Sequence, residues 1–168
     1  ANDQNESNNS ALGFMEEAIE SAMLIHVEIM VDNWPQEIGW SITDDSGIVV
    51  EAVQPGSIGG AEGDVFEWWV TLPTEDCYTF EITDVYGDGI NGSSWGSIID
   101  GYCTVTSWWD EDNLASIIYE YDGSYWFESE QSGLAAVEST PFGCTDQALD
   151  LRRTGGNQKQ SPSSCFCC

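Results

Sequence analysis

The side chains with the clearest chemical potential lie in one short run, CYTFEITDVYGDGING, residues 77–92. Tyr78, Phe80 and Ile82 alternate as one face of a strand, and that strand runs straight into Asp84, Tyr86, Asp88 and Gly89. Calcium (Ca2+) collects about six to eight hard oxygens in a small space. A loop with two carboxylates four residues apart, and glycines that permit sharp bends, supplies several of them at once. The expected ligands are the carboxylates of Asp84 and Asp88, backbone oxygens at Tyr86 and Ile90, and Asn91. The alternative is an acidic turn that uses Asp and Gly only for their backbone geometry.

Read as a DxDxDG loop, DVYGDGI places Tyr86 in the second ligand position, and the twelfth position falls on Trp95 where an EF-hand needs Glu. A complete EF-hand is therefore excluded. Further oxygens would have to come from distant acids such as Asp44, Asp45, Asp64 and Asp100.

Net charge favours a cation. Thirty Asp and Glu stand against three Lys and Arg in 168 residues, and all three basic residues, Arg152, Arg153 and Lys159, follow the last carboxylate at Asp150. Ordinary ion pairs are impossible over the first 151 residues, so bound divalent cations or a saline medium must offset the repulsion. Nucleic acid and anionic membrane surfaces are poor partners on the same ground. A hydrophobic fraction of 41 % with eight tryptophans still places most of the chain among globular proteins.

The elements that must hold the loop are strands. Residues 24–32 alternate, with Ile25, Val27, Ile29 and Val31 on one face and His26, Glu28, Met30 and Asp32 on the other. Similar patterns cover residues 38–43, 48–53, 65–72, 78–83, 97–108, 115–121 and 124–128, with turn chemistry between them and a hairpin around Asp122–Gly123. The expected fold is all-β: an antiparallel β-sandwich or jelly roll of about eight strands with a short N-terminal helix. Ser10 is a suitable N-cap for that helix, and Leu12, Met15, Ile19 and Met23 recur at helical spacing. Three parts result: a polar arm and amphipathic helix at 1–23, the sandwich at 24–150, and a Cys-containing tail at 151–168.

At this point CYTFEITDVYGDGI resembles the signature CYTFxIxDxYGDGI of a family of secreted β-domains, in which it follows a W-E-I-x-D-x-x-G strand. EIGWSITDDSG, residues 37–47, and LPTEDCYTF, residues 72–80, resemble the preceding elements. The resemblance covers residues 38–125. It implies an extracellular module of the kind appended to secreted proteases or carried by surface proteins of aquatic microbes and algae. Members often carry cysteines just after GDGI, where this chain has Asn91–Gly92. PFGCTDQAL, residues 141–149, is similar to the start of acidic GCTD modules, without their later acidic element.

The six cysteines, Cys77, Cys103, Cys144, Cys165, Cys167 and Cys168, lack zinc-ribbon spacing and read as disulfide formers. Cys77 with Cys103 is the first expected pair. Cys144 is expected to bond one of the three terminal cysteines, which spacing does not distinguish. Asn5, Asn8 and Asn91 begin glycosylation sequons, in keeping with a secreted, extracellular location. No stretch approaches a membrane span, and the start of the chain reads as a processed, mature form.

No GxSxG or HExxH occurs, no serine has a base by motif, and thirty acids make any carboxylate pair uninformative, so no enzyme is expected. His26, the only histidine, has no partner in the sequence pattern that would make it catalytic or a metal ligand. Trp69, Trp109 and Trp126 are candidates for exposed contacts, because adjacent tryptophans of a strand face opposite sides. The expected function is an extracellular calcium-binding structural module that self-associates in a filament, coat or matrix, with Leu12, Met15 and Ile19 as further contacts. A calcium-assisted carbohydrate-binding or adhesion module is the alternative, and an accessory domain of a secreted hydrolase is a lesser one.

Overall fold

The computed structural model describes residues 19–110, 113–123 and 136–144. Nine strands alternate inward and outward side chains: β1 (Ile19–Ser21), β2 (Leu24–Met30), β3 (Ile38–Asp44), β4 (Val49–Val53), β5 (Val65–Thr71), β6 (Cys77–Asp84), β7 (Tyr102–Asp110), β8 (Asn113–Tyr121) and β9 (Ala136–Cys144). They form a five-stranded sheet of order β1-β9-β6-β3-β4 and a four-stranded sheet of order β5-β2-β7-β8. Every pairing is antiparallel except β1 with β9. The expected all-β sandwich is the fold.

Inward positions are apolar because they meet the facing sheet and not water. Ile25, Val27 and Ile29 of β2, Cys103 and Val105 of β7, Trp40 and Ile42 of β3, and Tyr78, Phe80 and Ile82 of β6 are buried in one cluster. Aromatic rings link the layers: Phe80 lies 5.5 Å from Tyr119 and 6.3 Å from Trp40, and Trp40 meets Trp68 edge-on at 5.4 Å. Trp68 turns inward while Trp69 is half exposed, as alternation requires.

Local sequence misleads in three places. First, the helix expected to reach Met23 is not seen, because Ile19–Ser21 is strand β1, in parallel register with Phe142–Cys144. The edge of β9 offers a row of backbone partners, Ala22 N–H donates to Ser107 Oγ at 3.0 Å, and Ile19 and Met23 pack on the core. Tertiary pairing thus overrides a spacing that suits a helix. Leu12 and Met15 lie outside the described residues. Second, the strand expected from residue 97 starts at Tyr102, after a 3-10 turn at Gly92–Trp95 and a loop. The segment 124–128 lies outside the described residues, and β9, which runs through Pro141 and Cys144, was not foreseen as a strand.

The third correction concerns sulfur. Cys77 is disulfide-bonded, but Cys103 is a buried thiol on the inner face of β7, opposite Ile29, so the expected Cys77–Cys103 bond does not form. The two residues belong to different sheets, and Cys77 opens β6 at the end of the sandwich away from Cys103. The side chains of Cys144, Cys165, Cys167 and Cys168 lie outside the described residues.

Phe80 has no solvent exposure and joins both sheets, so Phe80→Ala should destabilise the fold by about 3–5 kcal/mol. Urea unfolding of the variant against wild type measures the loss.

Candidate metal centre

Strand β6 keeps its inward register one position beyond its apolar face: after Tyr78, Phe80 and Ile82, the next inward side chain is Asp84, and it has no solvent exposure. Asp84 organises the loop that follows. One carboxylate oxygen accepts Tyr86 N–H at 3.0 Å, and the other accepts Gly89 N–H. Gly87 and Gly89 both take left-handed backbone conformations (φ 78° and 69°), which side chains with a Cβ adopt only at a cost. The GDG element is thus what lets the chain fold back over Asp84.

Two further carboxylates converge there. Glu37 ends the 3-10 turn Pro35–Glu37 just before β3, and its carbonyl accepts Val85 N–H at 3.0 Å, which ties the two segments together. Oxygens of Glu37, Asp84 and Asp88 all lie within 4.8 Å of one another. Asp88 Oδ1 is buried and makes no hydrogen bond.

Burial raises the Glu37 carboxyl to about 7, helped by repulsion from Asp88, Asp84 and Asp32. Burial likewise raises Asp84 to about 6, against the pull of the Tyr86 and Gly89 N–H groups, with Asp88 adding repulsion. Asp32 is raised chiefly by burial, although Trp34 N–H donates to its Oδ1 at 2.8 Å, and Asp88, Glu62 and Asp100 repel it. A cation held by Glu37, Asp84 and Asp88 would offset the repulsion among these three.

Of the residues expected to bind calcium, Asp84 and Asp88 are brought together. Tyr86 contributes its backbone N–H to Asp84, and its side chain is exposed. The Ile90 carbonyl accepts Gly101 N–H at 2.9 Å. Asn91 is buried, its Nδ2 donates to the Gly123 carbonyl at 2.5 Å, and its Oδ1 is buried without a hydrogen-bond partner. That nitrogen is the atom a glycan would occupy, so this fold does not present Asn91 for glycosylation. Asn5 and Asn8 lie outside the described residues.

Distant acids divide differently. Asp44 lies at the far end of β3, where its Oδ1 accepts Ser46 Oγ–H at 2.7 Å, Ser46 N–H and Ile48 N–H. These bonds, that from Ser46 Oγ foremost, hold it below the usual carboxylate range. Asp45 is exposed. Asp64 accepts Ala61 N–H, and Asp100 accepts both donors of Ser93. Each of these acids except Asp45 has found loop donors, and none joins the Glu37 cluster.

Sequence reasoning missed Glu37 and misplaced Asp32. Strand β2 ends at Met30, so the alternation that put Asp32 on the outer face has stopped, and Asp32 turns inward against Gly92. A Cβ on Gly92 would fall 2.7 Å from Asp32 Cβ, which is why glycine stands there. The one available signal for Glu37 was its place two residues after Pro35, which fixes the turn, and directly before an apolar strand.

Trp69, expected as an exposed contact, is half exposed, and Ile19 is partly buried against the core. The Trp109 side chain and Trp126 lie outside the described residues. Compared with protein-family models, with curated proteins and with solved structures, the chain matches none. Function is therefore argued from this geometry.

In metal-free protein, Glu37 ionises near 4.5 when unfolded and near 7 when folded, so between these values the folded chain holds a proton that the unfolded chain has released. Raising pH through that window therefore costs stability. Denaturation in chelator at pH 5 and pH 7 should show this loss, and Glu37→Gln should make it smaller.

Proposed function

We propose that this chain is an extracellular calcium-binding structural module. The observation that carries the reading is the convergence of Glu37, Asp84 and Asp88 at the buried end of β6, with Asp88 Oδ1 unsatisfied and no Lys or Arg before Arg152 to offset them. Three carboxylates, from the Pro35–Glu37 turn, the end of β6 and the loop after it, supply hard oxygens of the kind that calcium accepts. A disulfide at Cys77 and a surface almost wholly anionic support an oxidising, saline setting.

Self-association completes the reading. On the outer face of the four-stranded sheet, Val65 and Trp69 of edge strand β5 and Ile117 of the opposite edge strand β8 are each exposed, which supports a contact between copies across that face once cations screen their repulsion. The half-exposed Trp69 ring also favours the second reading, a carbohydrate-binding face, since an indole stacks on a sugar ring. Among the described residues no helix is long and apolar enough to cross a membrane.

Calcium should raise the melting temperature, by about 2.7 kcal/mol of added stability at a hundredfold excess over Kd, with Kd on the order of 10⁻⁴–10⁻³ M. Asp88→Asn and Glu37→Gln should each weaken binding at least about tenfold, while Asp45→Asn, on an exposed turn, should not. A calorimetric titration without heat, joined to a melting curve indifferent to chelator, removes the proposal. Light scattering in calcium-containing saline, set beside a glycan array, separates assembly from carbohydrate binding.

A further inference from the structure

The outer face of β2 carries a second group of ligating side chains, far in character from the first. His26 and Glu28 are two residues apart on β2 and share its outward face, and Glu67 of β5 stands directly opposite Glu28. Like charges directly opposite on neighbouring strands destabilise a sheet. No lysine or arginine exists before Arg152 to separate them.

The imidazole is held in place. Its ring stacks on Trp69 with centroids 4.2 Å apart, and Trp108 packs edge-on at 6.4 Å. Nε2 is buried and makes no hydrogen bond. The Glu67 Oε1 atom is 3.7 Å away, too far for one. Nε2 and one oxygen each from Glu28 and Glu67 lie within 4.8 Å of one another. Tyr102 O–H donates to Glu28 Oε1 at 2.6 Å, the kind of outer bond that orients a ligating carboxylate.

We infer that His26, Glu28 and Glu67 form a second cation site, for a borderline divalent transition metal of the zinc class. An imidazole nitrogen selects such an ion over calcium, which takes oxygen. A metal about 2.0–2.1 Å from both Nε2 and the Glu67 oxygen spans their 3.7 Å separation at an angle of about 130°, so a closure of a few tenths of an ångström brings it to the tetrahedral value that zinc prefers. Glu67 is 56 % exposed, so ions can enter from solvent and a fourth ligand position is left to water. The site goes beyond the calcium reading and does not depend on it.

The test uses the full, oxidised chain with calcium saturating, so that the Glu37 cluster is occupied, and zinc ion alone as the probe. His26 is the sole histidine, and its ring therefore gives one set of NMR signals. Zinc should shift these signals, while calcium alone leaves them in place. Glu67→Gln and His26→Gln should each weaken zinc binding by at least about tenfold in calorimetry, and Glu51→Gln, on an exposed position of β4, should not. Cobalt ion should quench the tryptophan fluorescence of wild type more than that of Glu67→Gln, because Trp69 and Trp108 lie against the His26 ring. Ring signals unmoved in millimolar zinc, or equal zinc affinity in wild type and Glu67→Gln, overturn the inference. If His26→Gln fails to fold, Glu67→Gln decides alone, because Glu67 is exposed and supports no core contact.

Discussion

A carboxylate at an inward strand position is the constraint around which the acidic end of this sandwich is built. Asp84 continues the inward register of Tyr78, Phe80 and Ile82 into a place with no solvent exposure. Removing an ionised carboxylate from water is costly, and the loop that follows is shaped to return part of that cost. Tyr86 and Gly89 turn their N–H groups onto it, which requires the left-handed glycines Gly87 and Gly89. Those donors do not fully compensate, since Asp84 stays raised to about 6. Glu37 and Asp88 bring two more carboxylates within 4.8 Å of it, and their repulsion adds to the cost of burial.

Elsewhere the same excess of acid is handled without any ion. Glu62 accepts Ser97 Oγ–H, Ile98 N–H and Ile99 N–H, and these bonds, the Ser97 one foremost, hold its carboxyl below the usual carboxylate range. Asp44 accepts the donors of its own turn, and Asp100 those of Ser93. The dividing line is the direction of the backbone. Where a loop turns its N–H groups toward a single exposed carboxylate, hydrogen bonds suffice. Where strand register or a packed turn aims several carboxylates at one point, as at Glu37 or between Glu28 and Glu67, the donors present, Tyr86 and Gly89 N–H on Asp84 and Tyr102 O–H on Glu28, are fewer than the oxygens.

The two clusters differ because the sheets expose different surroundings. The Glu37 group sits where inward-facing strand ends meet loops, so oxygen is the only ligand type nearby. The His26 group lies on an outward sheet face, where a half-buried aromatic patch of Trp69 and Trp108 packs an imidazole beside two glutamates. Hard and borderline cations would sort between them by that chemistry alone.

Much was legible beforehand, and the reasons are local. Period-two alternation marked β2 to β6, and the spacing of Asp84, Asp88 and the glycines marked the loop, because both depend on neighbours a few residues apart. The lack of basic residues before Arg152 showed that no Lys or Arg offsets these carboxylates. Contacts between segments distant in sequence were decided only by the tertiary structure. Ile19–Ser21 became a strand because β9 offered it an edge, and Cys103 stayed a thiol because its strand faces the core away from Cys77. Glu37 joined Asp84 because β3 and β6 are neighbours in one sheet, with Ile38 opposite Asp84. Composition and short-range spacing thus determined the kind of chemistry and the central strands, whereas register between strands, which depends on the whole sheet, decided which carboxylates meet.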